Sequence, residues 1–279
     1  MIFAYPVHTP TMKRMKLLIP ALLGAAVMWL ALSRSLALGL AGRGPGGSPP
    51  PGEEWTLAAG DGAVLRASAQ AAGENWAVLL HGWGETGESM TALGEAYLAR
   101  GWSVLIPDLR GCGGSGGTCR GLGAGDGPDV LLWLNRLRET CPEARVVLHG
   151  RGLGANAALT AGGERLSGLL AVVAEDPVPS LEELGEAYLP RGGSLLKWGV
   201  SAVLALYTGR DLTALTVRRQ TAGTGVPILF LDGPVPADAE NLYWCAGKGA
   251  RLLSLTDPKE REEAVFAFLT ECSGSFQTP

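Results

Sequence analysis

The sequence predicts an α/β protein with a mostly parallel, doubly wound sheet. From Trp55 onward, short apolar segments of strand length alternate with longer segments of helical periodicity. Strand segments such as Trp76–Leu80 and Val104–Ile106 are apolar throughout, as expected of strands that are covered on both faces. The segment Asp129–Thr140 instead places its apolar residues three and four positions apart, which is typical of a helix. Regular alternation of the two kinds of segment indicates parallel strands joined by crossover helices.

The predicted elements begin with a hairpin around Gly60-Asp61-Gly62 and end with two late strands, each followed by a helix. The alternation breaks between residues 178 and 220, where we expect a small helical cap. We therefore expect one domain over residues 53–279. The predicted strands are Trp55–Ala58, Ala63–Ala69, Trp76–Leu80, Val104–Ile106, Val146–Leu148, Leu169–Ala174, Ile228–Leu231 and Leu252–Leu255, and the earlier helices are Thr86–Arg100, Asp129–Thr140 and a helix that runs through Ala161.

Composition excludes several classes of function. A net charge of −4, with no basic block beyond the N-terminus, argues against nucleic acid as a partner. The chain has five cysteines and three histidines, and no Cys-x-x-Cys pair, so we expect no metal site and no cofactor. Cys112 and Cys119 are close enough to form a disulfide in an exported domain, although two reduced loop cysteines are the simpler interpretation.

Residues 1–41 form a membrane anchor or a signal segment. Lys13, Arg14 and Lys16 precede an apolar run from Leu17 to Leu32, and a second run covers Leu36–Ala41. A basic flank before apolar sequence is typical of a segment that leaves its C-terminal side outside the cytoplasm. We favour a membrane-anchored, extracytoplasmic domain. The alternative is secretion after cleavage near Gly39-Leu40-Ala41. The Gly/Pro-rich residues 42–52 are expected to be a linker that separates the segment from the domain.

Four motifs from Trp55 to the C-terminus resemble the α/β-hydrolase superfamily, and within it the membrane-anchored bacterial hydrolases described as prolyl-oligopeptidase-like or lysophospholipase-like. The first is the pair His81-Gly82 at the end of a strand, followed by Trp83. The second is Pro107-Asp108-Leu109-Arg110-Gly111, where Cys112 replaces the histidine of the family run. The resemblance implies an α/β-hydrolase fold, with one oxyanion-hole donor at the backbone N–H of Trp83 and the other at Leu153.

The third motif is the family's nucleophile elbow, and here its serine is missing. The family sequence Gly-x-Ser-x-Gly reads Gly150-Arg151-Gly152-Leu153-Gly154 in this chain. Both outer glycines, the strand before them and the helix after them are kept. Glycine tolerates the strained backbone of this turn, so the exchange of serine for Gly152 is easily accommodated. Gly152 has no side chain with which to attack a substrate.

The fourth motif, Val226 to Pro236, lacks the loop that carries the triad acid in the family. Asp232 occupies the family's histidine-before-glycine position and is at most a displaced acid. The family also places its catalytic histidine after the last strand, and this chain has no histidine beyond His149. All three triad members are therefore absent at their expected positions, and serine hydrolysis is uncertain despite the resemblance.

Three functional hypotheses follow from these motifs. The first is a pseudohydrolase that binds an unknown small ligand or protein partner at the membrane. The second is an active esterase-like or peptidase-like hydrolase with displaced groups, such as Ser115 or Cys112 with His149 and Asp232. The third, more remote, is nucleotide binding, because Gly150-x-Gly152-x-x-Ala155 follows a strand and an acid pair, Glu175-Asp176, ends the next one.

The apolar segment Leu195–Tyr207 is predicted to be a cap helix. It lacks a basic face, so packing onto the sheet is favoured over insertion into the membrane surface beside the anchor.

Overall fold

The computed structural model describes residues 11–164, 166–178, 193–208, 217–233, 239–247 and 249–275. This part of the chain contains one sheet of eight strands. They are β1 (Glu53–Ala58), β2 (Val64–Gln70), β3 (Trp76–Leu80), β4 (Ser103–Pro107), β5 (Val146–Arg151), β6 (Leu169–Glu175), β7 (Ile228–Asp232) and β8 (Ala250–Ser254).

The strand order is β1-β2-β4-β3-β5-β6-β7-β8. The β1–β2 and β2–β4 pairs are antiparallel. The remaining pairs are parallel: β4–β3, β3–β5, β5–β6, β6–β7 and β7–β8. A parallel sheet with an antiparallel hairpin at one edge confirms the predicted fold class. The helices are α1 (Thr11–Ala41), α2 (Thr91–Leu98), α3 (Gly127–Thr140), α4 (Leu153–Gly162), α5 (Gly193–Thr208), α6 (Val217–Gly223), α7 (Ala239–Cys245) and α8 (Pro258–Ser275).

Each face of the sheet is covered by its own apolar core. On one face α3 and α4 contribute residues such as Trp133 and Leu159. On the other face α2 and α8 contribute residues such as Tyr97 and Phe268. The buried strands β3 and β4 have every side chain covered, because both of their faces meet helices.

Most predicted elements agree with the structure to within a few residues. The predicted helix from residue 86 to 100 is a 3₁₀ turn, Gly87–Met90, followed by α2, which ends at Leu98. The last strand, β8, begins two residues earlier than expected and ends one residue earlier. Leu255, which follows it, donates a backbone hydrogen bond to the Asp232 carbonyl. The cap prediction falls partly on residues 179–192 and 209–216, which lie outside the described residues.

The long helix α1 contains a stretch, Ile19–Ala41, that is long and apolar enough to cross a membrane. It has 23 residues and a mean hydropathy of 1.7. Length and composition fit either a membrane anchor or a signal segment.

The expectation of a separate linker is wrong, and the predicted cap helix has a contact that the sequence did not indicate. Helix α5 packs against α1 and shares an apolar cluster with Leu122 and with Leu153 at the start of α4. Residues 42–52, here called the strap, are not a free linker but lie along the domain. Gly44 donates to the Gly111 carbonyl at 2.8 Å, and Gly113 donates to the Pro45 carbonyl at 2.9 Å. Apolar residues at the end of α1 and backbone groups of the strap find partners on the domain surface, which local composition could not show.

Candidate functional site

The turn between β5 and α4 has a sharply bent backbone centred on Gly152. Its φ is 56° and its ψ is −120°, a conformation that residues with a side chain adopt only under strain. The Gly152 N–H donates to the Glu175 carbonyl at 2.8 Å, which ties the turn to the end of β6. Helix α4 begins at the next residue. The backbone therefore presents position 152 at the carboxyl edge of the sheet.

No side chain fits at the two outer glycines of the turn. A Cβ on Gly150 would lie 2.2 Å from the Gly154 carbonyl oxygen, and a Cβ on Gly154 would lie 2.2 Å from the Leu80 carbonyl oxygen. A Cβ on Gly152 would meet only the Gly82 Cα, at 3.8 Å. The elbow is thus packed tightly around a central position that still has room for a side chain.

The two predicted oxyanion positions lie beside each other at the sheet edge. Leu153 is buried at the start of α4, and Trp83 follows β3. The Trp83 indole Nε1–H donates to the carbonyl of Leu40, at the end of α1, at 3.2 Å. The Arg120 guanidinium lies 5.0 Å from the centre of the Trp83 ring. The loop that would supply one oxyanion donor is therefore held by α1 and by Arg120.

An apolar roof, made of the end of α1 and one side of α5, covers the elbow. It is a single cluster that joins both helices to the elbow residue Leu153 and to Leu122. The buried members are Ala37, Leu40, Ala41, Leu122, Leu153, Leu196, Val200 and Leu204.

Beneath this roof the remaining cavity is small. It has a volume of about 20 Å³ and is bordered by His81, Trp83, Cys112, Leu122 and Leu153, among other residues. A volume of this size holds about one water molecule.

Both ring nitrogens of His81 form hydrogen bonds with backbone groups of the surrounding loops. Its Nδ1–H donates to the Gly82 carbonyl at 2.9 Å, and its Nε2 accepts the Leu109 N–H at 3.0 Å. Burial lowers the pKa of His81, which keeps the ring neutral. An imidazole with both nitrogens occupied cannot take a proton from a nucleophile without breaking one of these bonds.

His149 is likewise bound on both sides. Its Nε2–H donates to Glu175 Oε1 at 2.9 Å, because a carboxylate can only accept. Its Nδ1 then accepts the Tyr97 hydroxyl at 2.9 Å. Burial raises the pKa of Tyr97 well above its ordinary range, so the hydroxyl stays protonated and donates. All three side chains are buried.

Glu175 links His149 to the protein surface. Burial opposes its ionisation, but hydrogen bonds and charges from His149 and Arg151 outweigh burial and lower the pKa of Glu175 to about 2. Arg151 Nε contacts Glu175 Oε2 at 3.0 Å. Glu175 is therefore an ionised, fully engaged structural carboxylate, which weakens the hypothesis that it binds a ribose.

Ser115 and Cys112, the suggested substitute nucleophiles, are loop residues in the structure. The Ser115 hydroxyl is fully buried, donates to the Asp108 carbonyl at 2.7 Å and accepts the Arg66 N–H at 2.9 Å. Burial, followed by the charge of Asp126, raises the pKa of Cys112 to about 11, which leaves almost no thiolate at neutral pH. Cys112 and Cys119 are not joined by a disulfide bond.

An arginine that was not among the predicted site residues forms ion pairs at the ends of β6 and β7. Arg261, in the first turns of α8, makes a two-pronged ion pair with Asp176 at 2.9 and 3.0 Å. Its Nη1 lies 3.7 Å from Glu175 Oε2. The hydrogen bond to Asp176 is the largest cause of the raised pKa of Arg261, and the negative charge of Asp232 also contributes. Asp232, the suggested displaced acid, therefore belongs to the same group of charges. The only sequence signal was a basic residue just after the last strand.

The fold and the elbow together identify the class of protein. The sequence model of the family described as "alpha/beta hydrolase fold" matches residues 76–226. This is more than half of the chain, and the chain belongs to the α/β-hydrolase fold family. No match was found among curated protein sequences.

Solved structures support the same fold. The esterase Pf2001 of Pyrococcus furiosus aligns with a TM-score of 0.66 at 19% identity, over 82% of this chain and 98% of that one. A hydrolase from Pseudomonas aeruginosa PA01 gives a TM-score of 0.57 at 22% identity, over 78% and 98% of the two chains. The monoacylglycerol lipase of Paleococcus ferrophilus gives 0.57 at 18% identity, over 75% and 99%.

Proposed function

We propose that this protein is a membrane-associated member of the α/β-hydrolase family that has lost serine-hydrolase turnover and acts by binding. The observation that carries the proposal is the elbow itself. Position 152 has the bent backbone and the lateral space for a side chain, yet it holds glycine. A scaffold of this shape without a nucleophile can bind a ligand but cannot form an acyl-enzyme.

The state of the histidines supports the same conclusion. General-base catalysis needs a ring nitrogen that can reach the proton of the nucleophile. His81 and His149 each have both nitrogens in hydrogen bonds with other groups. At the ends of β6 and β7, Arg261 forms ion pairs with Asp176 and Glu175.

The role at the membrane rests on α1, whose apolar stretch Ile19–Ala41 is long enough to span a bilayer. The basic residues before it favour an extracytoplasmic position for the domain. The esterase and lipase names of the structural neighbours indicate the chemistry that this scaffold supports in relatives. Because the roof over the elbow is apolar, the partner that we propose is an apolar ligand or a protein.

The test is activity profiling of the full-length protein in detergent. We expect no labelling by a fluorophosphonate probe and no turnover of short-chain nitrophenyl esters. The variant Gly152→Ser should also remain inactive, because it restores the hydroxyl without a base. An active α/β-hydrolase run in parallel shows that the probe and esters are competent.

Two outcomes would overturn the proposal. Labelling that disappears in Ser115→Ala would identify a displaced nucleophile. Appreciable esterase activity in Gly152→Ser would show that a base does reach the elbow.

A further inference from the structure

The contact between α1 and α5 has the features of a packed pair of membrane helices. Gly199 of α5 is buried at the crossing, where a Cβ would lie 2.4 Å from Ser33 Oγ and 2.5 Å from Trp29 Cζ2. Ser33 and Ala37, four residues apart on α1, are both fully covered. Small residues at this spacing allow close helix approach, which is common between helices in membranes.

The length of α1 places this contact at membrane depth. The basic residues that precede the apolar run end at Lys16, and a hydrocarbon core of about 30 Å takes about 20 residues of helix, to about Leu36. The side chains of Ile19–Leu32 are exposed, except that of Trp29. This part of α1 covers only about 21 Å of the depth of the core. Residues from Trp29 to Leu36 must therefore also lie in the bilayer if α1 spans it, and these residues contact α5.

The outward face of α5 is suited to the same environment. Leu195, Trp198 and Leu206 are 67%, 65% and 82% exposed. Lys197 is the only charged residue in the helix. The Trp198 ring stacks on Trp29, with ring centres 5.9 Å apart. Arg34 lies about two residues before Leu36 on α1, and a long arginine side chain near the end of a membrane span can extend to the headgroups.

We propose that α5 is a second membrane-embedded helix, whose exposed face of Leu195, Trp198 and Leu206 contacts the acyl chains of the leaflet on the domain side. This inference rests on the proposed anchoring by α1. It replaces the expectation that α5 does not insert into the membrane surface. As a consequence, the roof over the elbow, which contains Leu196 and Val200 of the same helix, borders the lipid.

The first experiment is photolabelling of the full-length protein in phosphatidylcholine vesicles that contain a phospholipid with a diazirine on its acyl chain. Adducts are mapped by mass spectrometry. We expect adducts on the Ile19–Leu32 part of α1 and on the exposed face of α5. Trp244 of α7 is the control, since it is 73% exposed and lies outside the proposed surface. We expect no adducts on Trp244.

The possible outcomes separate this inference from the anchoring. Adducts on α1 without adducts on α5 would overturn the inference and leave the anchor intact. Adducts on neither helix would overturn both. Equal adducts on α5 and on Trp244 would show collisional labelling and would also overturn the inference.

A second measurement uses tryptophan quenching by brominated phosphatidylcholine in the same vesicles. Trp198→Phe should remove part of the quenching that the wild-type protein shows, whereas Trp244→Phe should leave the quenched component unchanged. Both variants keep an aromatic ring, so the fold is expected to persist. An equal loss in the two variants, or no loss in Trp198→Phe, would contradict the insertion of α5.

Discussion

Three glycines within five residues have different physical roles at the turn between β5 and α4. Gly150 and Gly154 are held against backbone carbonyl groups, where no Cβ fits. Gly152 needs glycine only for its backbone angles, since the space beside it is open. This difference explains how the elbow keeps its shape with glycine at position 152.

The first prediction concerns these glycines. Gly154→Ala should destabilise the protein by at least about 3 kcal/mol, because a methyl group would overlap the backbone of β3. Gly152→Ala should cost only about 1 kcal/mol of backbone strain. Unfolding of the full-length protein in detergent measures both. Gly60→Ala, at a glycine with no atoms near its Cβ position, is the control and should change little. Equal losses at positions 152 and 154 would contradict the steric argument.

The second prediction concerns Glu175. Because its pKa in the folded protein is about 2 and its ordinary value is 4.5, its contribution is fully present above about pH 5 and is lost as the pH falls toward 2. The difference in unfolding free energy between wild type and Glu175→Gln should therefore shrink by about 3 kcal/mol over that range.

Urea unfolding at a series of pH values measures this difference. Glu139→Gln is the control, because Glu139 is 70% exposed and pairs only with Arg136 at 3.6 Å. Its curve should run parallel to that of the wild type. A constant difference between wild type and Glu175→Gln from pH 7 to pH 3 would show that Glu175 is not held ionised by His149 and Arg151.

At the scale of elements, α1 and α5 form a unit that is separate from the two cores of the sheet. Their contact contains the stacked rings of Trp29 and Trp198 and the close approach of Gly199 to Ser33. The same two helices close the carboxyl edge of the sheet above Leu153. A change in their packing should therefore alter access to the elbow without altering the sheet.

The third prediction tests this packing. Gly199→Leu should separate the two helices, since its side chain would overlap Ser33 and Trp29, and it should cost about 2 kcal/mol. The near-ultraviolet circular dichroism of the Trp29–Trp198 pair should decrease. Ala202→Leu adds the same side chain on the exposed face of α5 and should leave the signal unchanged. An unchanged signal in Gly199→Leu would refute the contact.

At the scale of the whole molecule, Arg120 joins three separate regions. Its side chain donates to the carbonyls of Gly39 and Gly42, both at 2.8 Å, and so caps the last carbonyls of α1. Its backbone N–H donates to the Ala41 carbonyl at 2.7 Å, and its guanidinium covers Trp83. One residue of the β4–α3 connection thereby holds α1 against the loop that follows β3.

The fourth prediction follows from this arrangement. Arg120→Met keeps the length of the side chain but leaves two carbonyls without their donor, which should cost about 2 to 4 kcal/mol. Hydrogen exchange of the amides in residues 39–44 should accelerate. Arg136→Met is the matched control, because Arg136 also faces a tryptophan, Trp55, at 5.8 Å but is half exposed. Unchanged exchange in Arg120→Met would show that other contacts hold the strap.

Much of the fold was predictable because its signals are local. Apolar runs of strand length, helical spacing and glycine turns gave the hairpin, β3 and α3 at nearly their observed positions. The placement of α5 was not predictable in this way. Its sequence is apolar on more than one side, so local periodicity does not say whether Leu196 or Leu195 faces the protein.

The candidate site shows the same division. Glycine in place of the family's serine at position 152 was visible in the motif, because the elbow needs its outer glycines only four positions apart along the chain. The partners of His149 were not visible, because Tyr97 and Glu175 lie 52 and 26 residues away and meet it only in the folded sheet. Arg261 was missed for the same reason, since it is 85 residues from Asp176.

The sequence by itself determined the order of strands and helices, the parallel character of the sheet, the elbow with glycine at its centre and the apolar segment at the N-terminus. These depend on residue periodicity and on steric demands within a few residues. Only the tertiary structure decided that the end of α1 and α5 cover the elbow and that the strap lies on the domain. It also decided that both histidines of the domain are fully bonded. Those features depend on which distant surfaces meet, and pairing between distant surfaces leaves no local pattern in the chain.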